Sequence, residues 1–522
     1  MKIAKRLLAV LLAAIMVFGL VACAPNPNND SSTPQTNAGS TKDPITLKWY
    51  YGPSAGAQAG EEIVEEEFNK ILHTFEGMEH VNVDFVEFHR KQYKNEVALA
   101  QSSKQQIDII GTHNLDLAEQ IGIGTLLPLD SYIENSKGLK ELPDWLWEMG
   151  KGSDSKTYIV PNYQRSATRN YVIIPKAWAD KYGDVKALQK ALYDHDLKEI
   201  ADWSVDFLKA VRKGEGIDTK YLMPMGYEIQ TPLSYANHRD TITGSFVVEN
   251  NSGKVENLWM TADMLKAYEI SADWYEKGYI HPDVLTFNMT DAIRENMLNP
   301  VSYVFSHNNG GLPENAAAEI SKQYEFEVVV LPVHEEYFIP YTWGAGGLGV
   351  TTTCKNPAEA FRVIELMNTE EGKALFNTMY LGVEGVHWKK TGDGTAETLT
   401  VSDDKAWINY PWAIGNATMG YKLPTETTSE KEIVDYIQNS EPIASKLAGF
   451  VPDLTFVETQ LEQIKAVESE YKAALYTGAM GADWEELYND FVAKMISAGL
   501  DDVLEELQNQ VDDYLAKKAQ EK

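Results

Sequence analysis

From Ile45 to Gly111 the chain alternates strand-like and helix-like stretches in an order that leaves little choice of fold. Ile45 to Tyr51 is β-branched and aromatic, and Val81 to Phe88 alternates apolar and polar residues. Between them, Glu61 to Leu72 carries Val64, Phe68, Ile71 and Leu72 at helical spacing. Lys91 to Ser102 predicts a second helix with Tyr93, Val97 and Ala100 turned inward, and Ile107 to Gly111 a third strand. A βαβαβ run requires crossovers. Its strands therefore lie parallel with right-handed connections, and a ligand belongs beyond their carboxyl ends.

That rule singles out Tyr50 and Tyr51, where the first strand runs out into the glycine-rich loop Gly52 to Gly60, and Asn114, just past the third strand in Gly111-Thr112-His113-Asn114. Strand alternation commits at least one of Trp49 and Tyr51 to the core. The loop lacks the Gly-Lys-Ser/Thr of a phosphate cradle, and Glu61 and Glu62 behind it repel phosphate. Another strand, Thr157 to Pro161, ends in Asn162-Tyr163-Gln164-Arg165 with Arg169 close behind. Tyr163, Arg165 and Arg169 thus become candidates for polar recognition.

The chain begins with a different kind of signal. Lys2, Lys5 and Arg6 precede an apolar run from Leu7 to Val21, the layout of an export signal peptide, and the run is shorter than the ~20 residues a membrane-crossing helix needs. It stops at Leu20-Val21-Ala22-Cys23, which resembles a bacterial lipobox: cleavage leaves Cys23 lipidated at the mature N-terminus. Two or more acyl chains at about 0.8 kcal/mol per buried methylene hold such a protein to a membrane. Residues 23–44 are rich in Asn, Ser, Thr, Pro and Gly and predict a disordered leash behind the signal at 1–22.

The chain has 522 residues, and the portion beyond the leash exceeds the ~250–300 residues at which a single core stops growing, so two lobes are expected. The formal charge is −31, and it becomes three units more negative once Lys2, Lys5 and Arg6 leave with the signal. Such a surface repels phosphate backbones, which argues against nucleic-acid binding. With Cys23 lipidated, Cys354 has no partner for a disulfide. The ten histidines are scattered and no His-Glu-x-x-His occurs, so neither a metal nor a cofactor is expected.

Further along, Val172 to Glu276 is expected to be mostly helical, and Val301 to Phe305, Glu325 to Leu331 and Leu348 to Thr353 to be strands. Trp343 lies in a glycine-rich segment between the last two. Ala358 to Asn368 and Glu371 to Met379 predict helices. The loop after them, Gly382 to Trp388, gathers Glu384, His387 and Trp388, with Trp412 in a second loop beyond. Glu384 and His387 raise acid–base chemistry, as in a lipid-tethered glycoside hydrolase, but no nucleophile or second carboxylate stands at a recognisable spacing. The last 70 or so residues predict three amphipathic helices, with Asp483 and Glu486 opening the second as a capping box and Gly499 ending it.

Taken in order, these segments resemble the carbohydrate-type (family 1) extracellular solute-binding lipoproteins of bacterial ABC importers, distant relatives of maltose-binding protein. The likeness rests on the lipobox at Cys23, on Asn95 to Ala100 followed by Gln106 to Ile110, and on Leu126 to Asp130 and Thr157 to Pro161. The helix pair opening with Asn-Pro-Ala-Glu-Ala-Phe at Asn356 fits too, and the Gly382 to Trp388 loop and C-terminus look like the LplA-like branch. The resemblance implies an α/β, two-lobed, periplasmic-binding-protein-like fold (type II) with a hinge and a cleft. Lobe 1 would comprise 45–163 plus 301–340, and lobe 2 164–300 plus 342–522, with a helical module at 450–522. It implies a monomeric, non-enzymatic binder of a sugar, most often an oligosaccharide, that works with permease transmembrane subunits and touches the membrane only through its N-terminal lipid. Position at strand ends or in cleft-facing loops makes Tyr50, Tyr51, Asn114, Tyr163, Arg165, Arg169, Trp343, Glu384, His387, Trp388 and Trp412 the expected ligand contacts. A peptide-binding or adhesin lipoprotein is the third alternative.

Overall fold

Ile45–Tyr51 forms the middle of a parallel trio, paired with Val81–Glu87 on one side and Ile109–Gly111 on the other. Two antiparallel strands extend this sheet, giving the order 81–87, 45–51, 109–111, 347–350, 160–161. The computed structural model describes residues 43–52, 58–152, 154–165, 167, 169–217, 221–222, 237–286, 316–324, 326–340, 346–426 and 428–520. The export signal, Cys23, the strand expected at Val301 to Phe305, and Trp343 lie outside the described residues. Residues 44–522 group as one unit.

The first core follows from the periodicities. Helix Glu61–Leu72 buries Val64, Phe68 and Leu72 on the sheet, and Trp49, Phe68 and Phe85 meet edge to face at centroid separations of 5.1 to 6.4 Å. Each such pair contributes ~0.5–1.5 kcal/mol beyond the area it buries. On the other face of the sheet, Tyr50 packs with Tyr93, Val97 and Ile110 beside helix Tyr93–Ser102.

Two lobes are present, but their boundaries differ from the expectation. Gly347–Val350, expected near the start of lobe 2, is inserted between two strands of the first sheet. Its glycines permit the insertion: a Cβ on Gly347 would come 2.5 Å from the Val160 carbonyl oxygen, and one on Gly349 2.8 Å from Leu126. Helices Pro357–Asn368, Lys373–Leu381 and Glu430–Asn439 bury Phe361, Phe376 and Ile433 in the first core, so 347–437 belongs with lobe 1. Conversely Val328–Pro332, expected in lobe 1, pairs antiparallel with Tyr171–Pro175 in lobe 2. Among the described residues the chain passes between the lobes three times: between Ala167 and Val172, between Val333 and Tyr337, and between Ile437 and Leu447.

The second lobe packs helices Lys176–Tyr182, Val185–Tyr193, Leu197–Glu215 and Ala262–Glu276 around Val172, Ile174 and Leu331. Within the stretch expected to be mostly helical there is also a three-stranded antiparallel sheet, Arg239–Thr243, Phe246–Glu249 and Val255–Asn257. The C-terminal helices Glu458–Thr477, Trp484–Ser497 and Leu500–Gln520 close over that sheet in a shared core. The capping box does not form: Asp483 makes no side-chain cap bond, and the helix comes directly after a 3₁₀ turn, Gly481–Asp483. Gly499, at φ +92°, ends the helix as expected. Among the described residues no helix is long and apolar enough to cross a membrane.

Candidate ligand-binding site

Strand alternation decides the fate of the first candidates. Tyr51 is fully buried on the helix Glu61–Leu72 side, where its hydroxyl donates to the Glu87 carboxylate at 3.4 Å. Tyr50 is buried on the opposite face, its hydroxyl 3.4 Å from Gln105 Oε1. Neither presents a polar atom past the strand end. Both are core residues, and the reason is that the pleat drives each side chain into a different helix layer.

The loop Gly382 to Trp388 is also built inward. Val383 N–H donates to His387 Nδ1 at 2.9 Å, and His387 Nε2 meets the Lys405 carbonyl at 2.8 Å, which makes Nε2 the protonated nitrogen. With both ring nitrogens engaged by backbone, His387 has no lone pair to offer a substrate. Trp388 is buried and donates its indole N–H to the Gly382 carbonyl at 2.8 Å. Gly382 holds φ +84° and leaves no room for a Cβ, which would lie 2.7 Å from the His387 ring. Glu384 is solvent-exposed. The expected group of three therefore divides into two structural residues and one surface carboxylate.

The two arginines are likewise engaged. Arg165 donates Nε and Nη2 to Glu430 Oε2 at 2.8 and 2.5 Å, while its backbone N–H reaches Oε1 at 2.9 Å. This clamp fastens the first crossing to the helix Glu430–Asn439 in lobe 1. Arg169 donates Nε to the His334 carbonyl at 2.9 Å and lies over the Tyr337 ring at 5.0 Å, joining two crossing segments. Position at a strand end drew attention to both, yet their partners lie 265 and 165 residues away in sequence.

What remains gathers at the carboxyl ends of the first sheet. Trp412 is half-buried on the 3₁₀ turn Pro411–Ala413, with Tyr410 tilted against it at 5.9 Å and 40% exposed. The segment is held at several points. Gln58 clamps the backbone of Ile408 in both directions, donating to its carbonyl at 2.9 Å and accepting from its N–H at 2.6 Å. Asn162, fully buried just past the last strand, donates Nδ2 to the Trp412 carbonyl at 3.0 Å, and its Oδ1 has no partner among the described residues. Tyr163 comes next, half-buried against Trp145, its carbonyl accepting from Ala417 N–H at 2.8 Å. Asn114 is exposed in a left-handed conformation, φ +65°, at the end of the third strand.

His113, passed over in the sequence, is the residue between them. Its ring stacks on Tyr93 at 5.8 Å and 11° and meets Trp412 edge to face at 5.7 Å. Burial, then the positive charge of Arg90, depress its pKa to about 4, although the nearby Gly52 carbonyl opposes the shift. The imidazole is neutral at physiological pH. Nearby, burial and the neighbouring carboxylates Glu87 and Glu65 push Glu61 up to about 7. Among the described residues no group of three or more His, Cys, Asp or Glu is arranged to hold a metal ion.

Comparison with known proteins adds three findings. The model of a domain of unknown function, DUF3502, matches residues 446–516, the C-terminal helical module. No curated protein sequence matches the chain. Solved structures do match over nearly the full length. The N-glycan transport solute-binding protein NgtS from Streptococcus pneumoniae is 18% identical with a TM-score of 0.69, covering 91% of this chain and 100% of its own. An extracellular solute-binding protein from Bifidobacterium longum subsp. infantis is 13% identical with a TM-score of 0.58, covering 91% of this chain and 99% of its own. An HMO-binding, ABC-transporter-associated solute-binding protein from Bifidobacterium longum infantis ATCC 15697 is 15% identical at the same score and coverage. The chain has the two-lobed fold of these proteins.

Proposed function

We propose that this protein captures an oligosaccharide between its lobes and delivers it to the permease of an ABC importer. The observation that carries the reading is the Tyr410–Trp412 pair, two partly exposed rings fixed where the strands of the first sheet end. A pyranose offers a flat apolar face to such rings and hydroxyls to neighbouring polar groups, here Asn114 and Tyr163. The full-length fold match supports the same conclusion, because NgtS has been solved in complex with Man1GlcNAc and with Man5GlcNAc. The strongly acidic composition favours a neutral ligand over an anionic one.

The mechanism is binding without chemistry. A ligand that touches both lobes binds the closed form better than the open one, and that difference in affinity drives closure about the three crossings. The closed form then docks on the permease. Trp343 belongs to the proposed contact set through its sequence position alone.

A thermal-shift screen of neutral oligosaccharides, mannose–GlcNAc glycans among them, against tri- to hexapeptides tests the ligand class. Stabilisation by oligosaccharides is expected. Stabilisation by peptides alone, or turnover of a sugar, would replace this reading. The lipid on Cys23 is the proposed tether, keeping the protein beside its permease on the outer face of the cell membrane. Cys23→Ser is expected to release the protein into the medium with its affinity intact, and retention of the variant at the membrane would remove the anchor from the account.

A further inference from the structure

We propose that His113 is a positioning residue, a wedge behind Trp412 that sets the angle at which the indole meets a ligand. The inference rests on the capture reading for its effect on affinity, but its physical content is a property of the empty protein. Trp412 is fixed twice from the protein interior: its carbonyl by Asn162 Nδ2 at 3.0 Å, and its ring by the edge contact with His113 at 5.7 Å. The first fixes where the backbone lies and leaves the side chain free to turn. The second opposes rotation of the ring from its buried side.

The slot around His113 is shaped to hold a flat ring in one pose. Tyr93 covers one face, and is itself locked by hydrogen bonds from its hydroxyl to the Gly111 carbonyl at 2.7 Å and the Tyr50 carbonyl at 3.0 Å. Gly111 and Gly346 form the walls: a Cβ on Gly111 would come 3.3 Å from Cε1 of His113, and one on Gly346 3.1 Å from its Cβ. Among the described residues neither ring nitrogen has a partner in good hydrogen-bonding geometry, the Gly52 carbonyl standing beside the ring without meeting that geometry. His387, by contrast, uses both of its nitrogens on backbone. His113 is thus held by shape and stacking rather than by hydrogen bonds, and a Phe in its place would keep the wedge while removing two unsatisfied polar atoms.

Two measurements on the full chain test this. Calorimetric titration with the oligosaccharide that gives the largest thermal shift is done on His113→Ala, His113→Leu, His113→Phe, Trp412→Ala and the His113→Ala/Trp412→Ala double variant. His113→Ala and His113→Leu are expected to weaken binding about tenfold, His113→Phe to restore it, and the double variant to bind no worse than Trp412→Ala. Affinity unchanged in His113→Ala, or losses that add in the double variant, would overturn the proposal. ¹⁹F spectra of the 5-fluorotryptophan-labelled protein without ligand provide the second readout, with Trp412 assigned by its loss in Trp412→Phe. The Trp412 signal is expected to shift or broaden in His113→Leu and to stay in place in His113→Phe. An unmoved signal in His113→Leu would overturn the wedge even if no sugar binds.

Discussion

Trp412→Ala will weaken oligosaccharide binding by roughly 30- to 150-fold, the loss expected when an aromatic anchor worth ~2–3 kcal/mol is removed. Trp412→Phe will lose much less, because it keeps a flat ring at the same place. The effect should be this large because the indole is fixed before the ligand arrives. Gln58 holds the approach at Ile408, Asn162 holds the Trp412 carbonyl, and His113 backs the ring, so little ordering cost falls on binding. Calorimetry reads the affinity and far-ultraviolet circular dichroism confirms the fold. An affinity change of less than about twofold would move the sugar site away from the first sheet.

The second large effect concerns stability. Leu507→Ala should lower the unfolding free energy by ~2–5 kcal/mol, the usual cost of an unfilled cavity at a fully buried leucine. The helix that carries it is part of the core beneath the sheet Arg239–Asn257 and not an appendage. Val503, Leu507 and Val511 are fully buried. Gln508 also joins the edge of that sheet, accepting from Val255 N–H at 2.8 Å and donating to the Gly253 carbonyl at 2.8 Å. Glu468 accepts from Asn257 Nδ2 at 3.2 Å and from the Ser245 hydroxyl. Removing residues 446–522 would expose Phe246, Val248 and Tyr268 together, and the truncated chain should aggregate. Urea unfolding measures the point variant, and a cost below about 0.5 kcal/mol would mean that the module folds apart from the sheet.

The parts of the fold legible in the sequence were the local ones. Helix Glu61–Leu72 and strand Val81–Glu87 have the expected bounds or fall within a residue of them, because Val64, Phe68 and Leu72 recur at helical spacing and the strand alternates strictly between buried and half-buried. The lobe boundaries depended on an insertion that local pattern does not encode. Leu348 to Thr353 reads as a strand, but only the closeness of Val160 to Gly347 and of Leu126 to Gly349 shows that it enters the first sheet. The sheet Arg239–Asn257 was hidden by its short strands, although Gly244 at φ +53° between two of them is a hairpin signal that could have been used.

The site was harder for the same reason. Glu384, His387 and Trp388 lie close in sequence and suggest a functional group, yet His387 reaches to Lys405 and Trp388 turns back to Gly382. Arg165 looked available until Glu430 arrived from the far end of lobe 1. His113 carries no motif. Its role emerges only when helix Tyr93–Ser102 and the Trp412 turn fold onto it from opposite directions. Trp412 stands out in the sequence for its loop position, and the structure puts it at the strand ends with Tyr410 beside it.

The central claim is that ligand bridges the lobes and closes them, and small-angle X-ray scattering during titration of the wild-type protein with its best oligosaccharide tests it most directly. The predicted result is a single-site transition to a smaller radius of gyration that tracks the calorimetric binding curve, with both curves displaced together in Trp412→Ala. Saturable binding with an unchanged radius of gyration would contradict it, because the sugar would then occupy one lobe without drawing the other in.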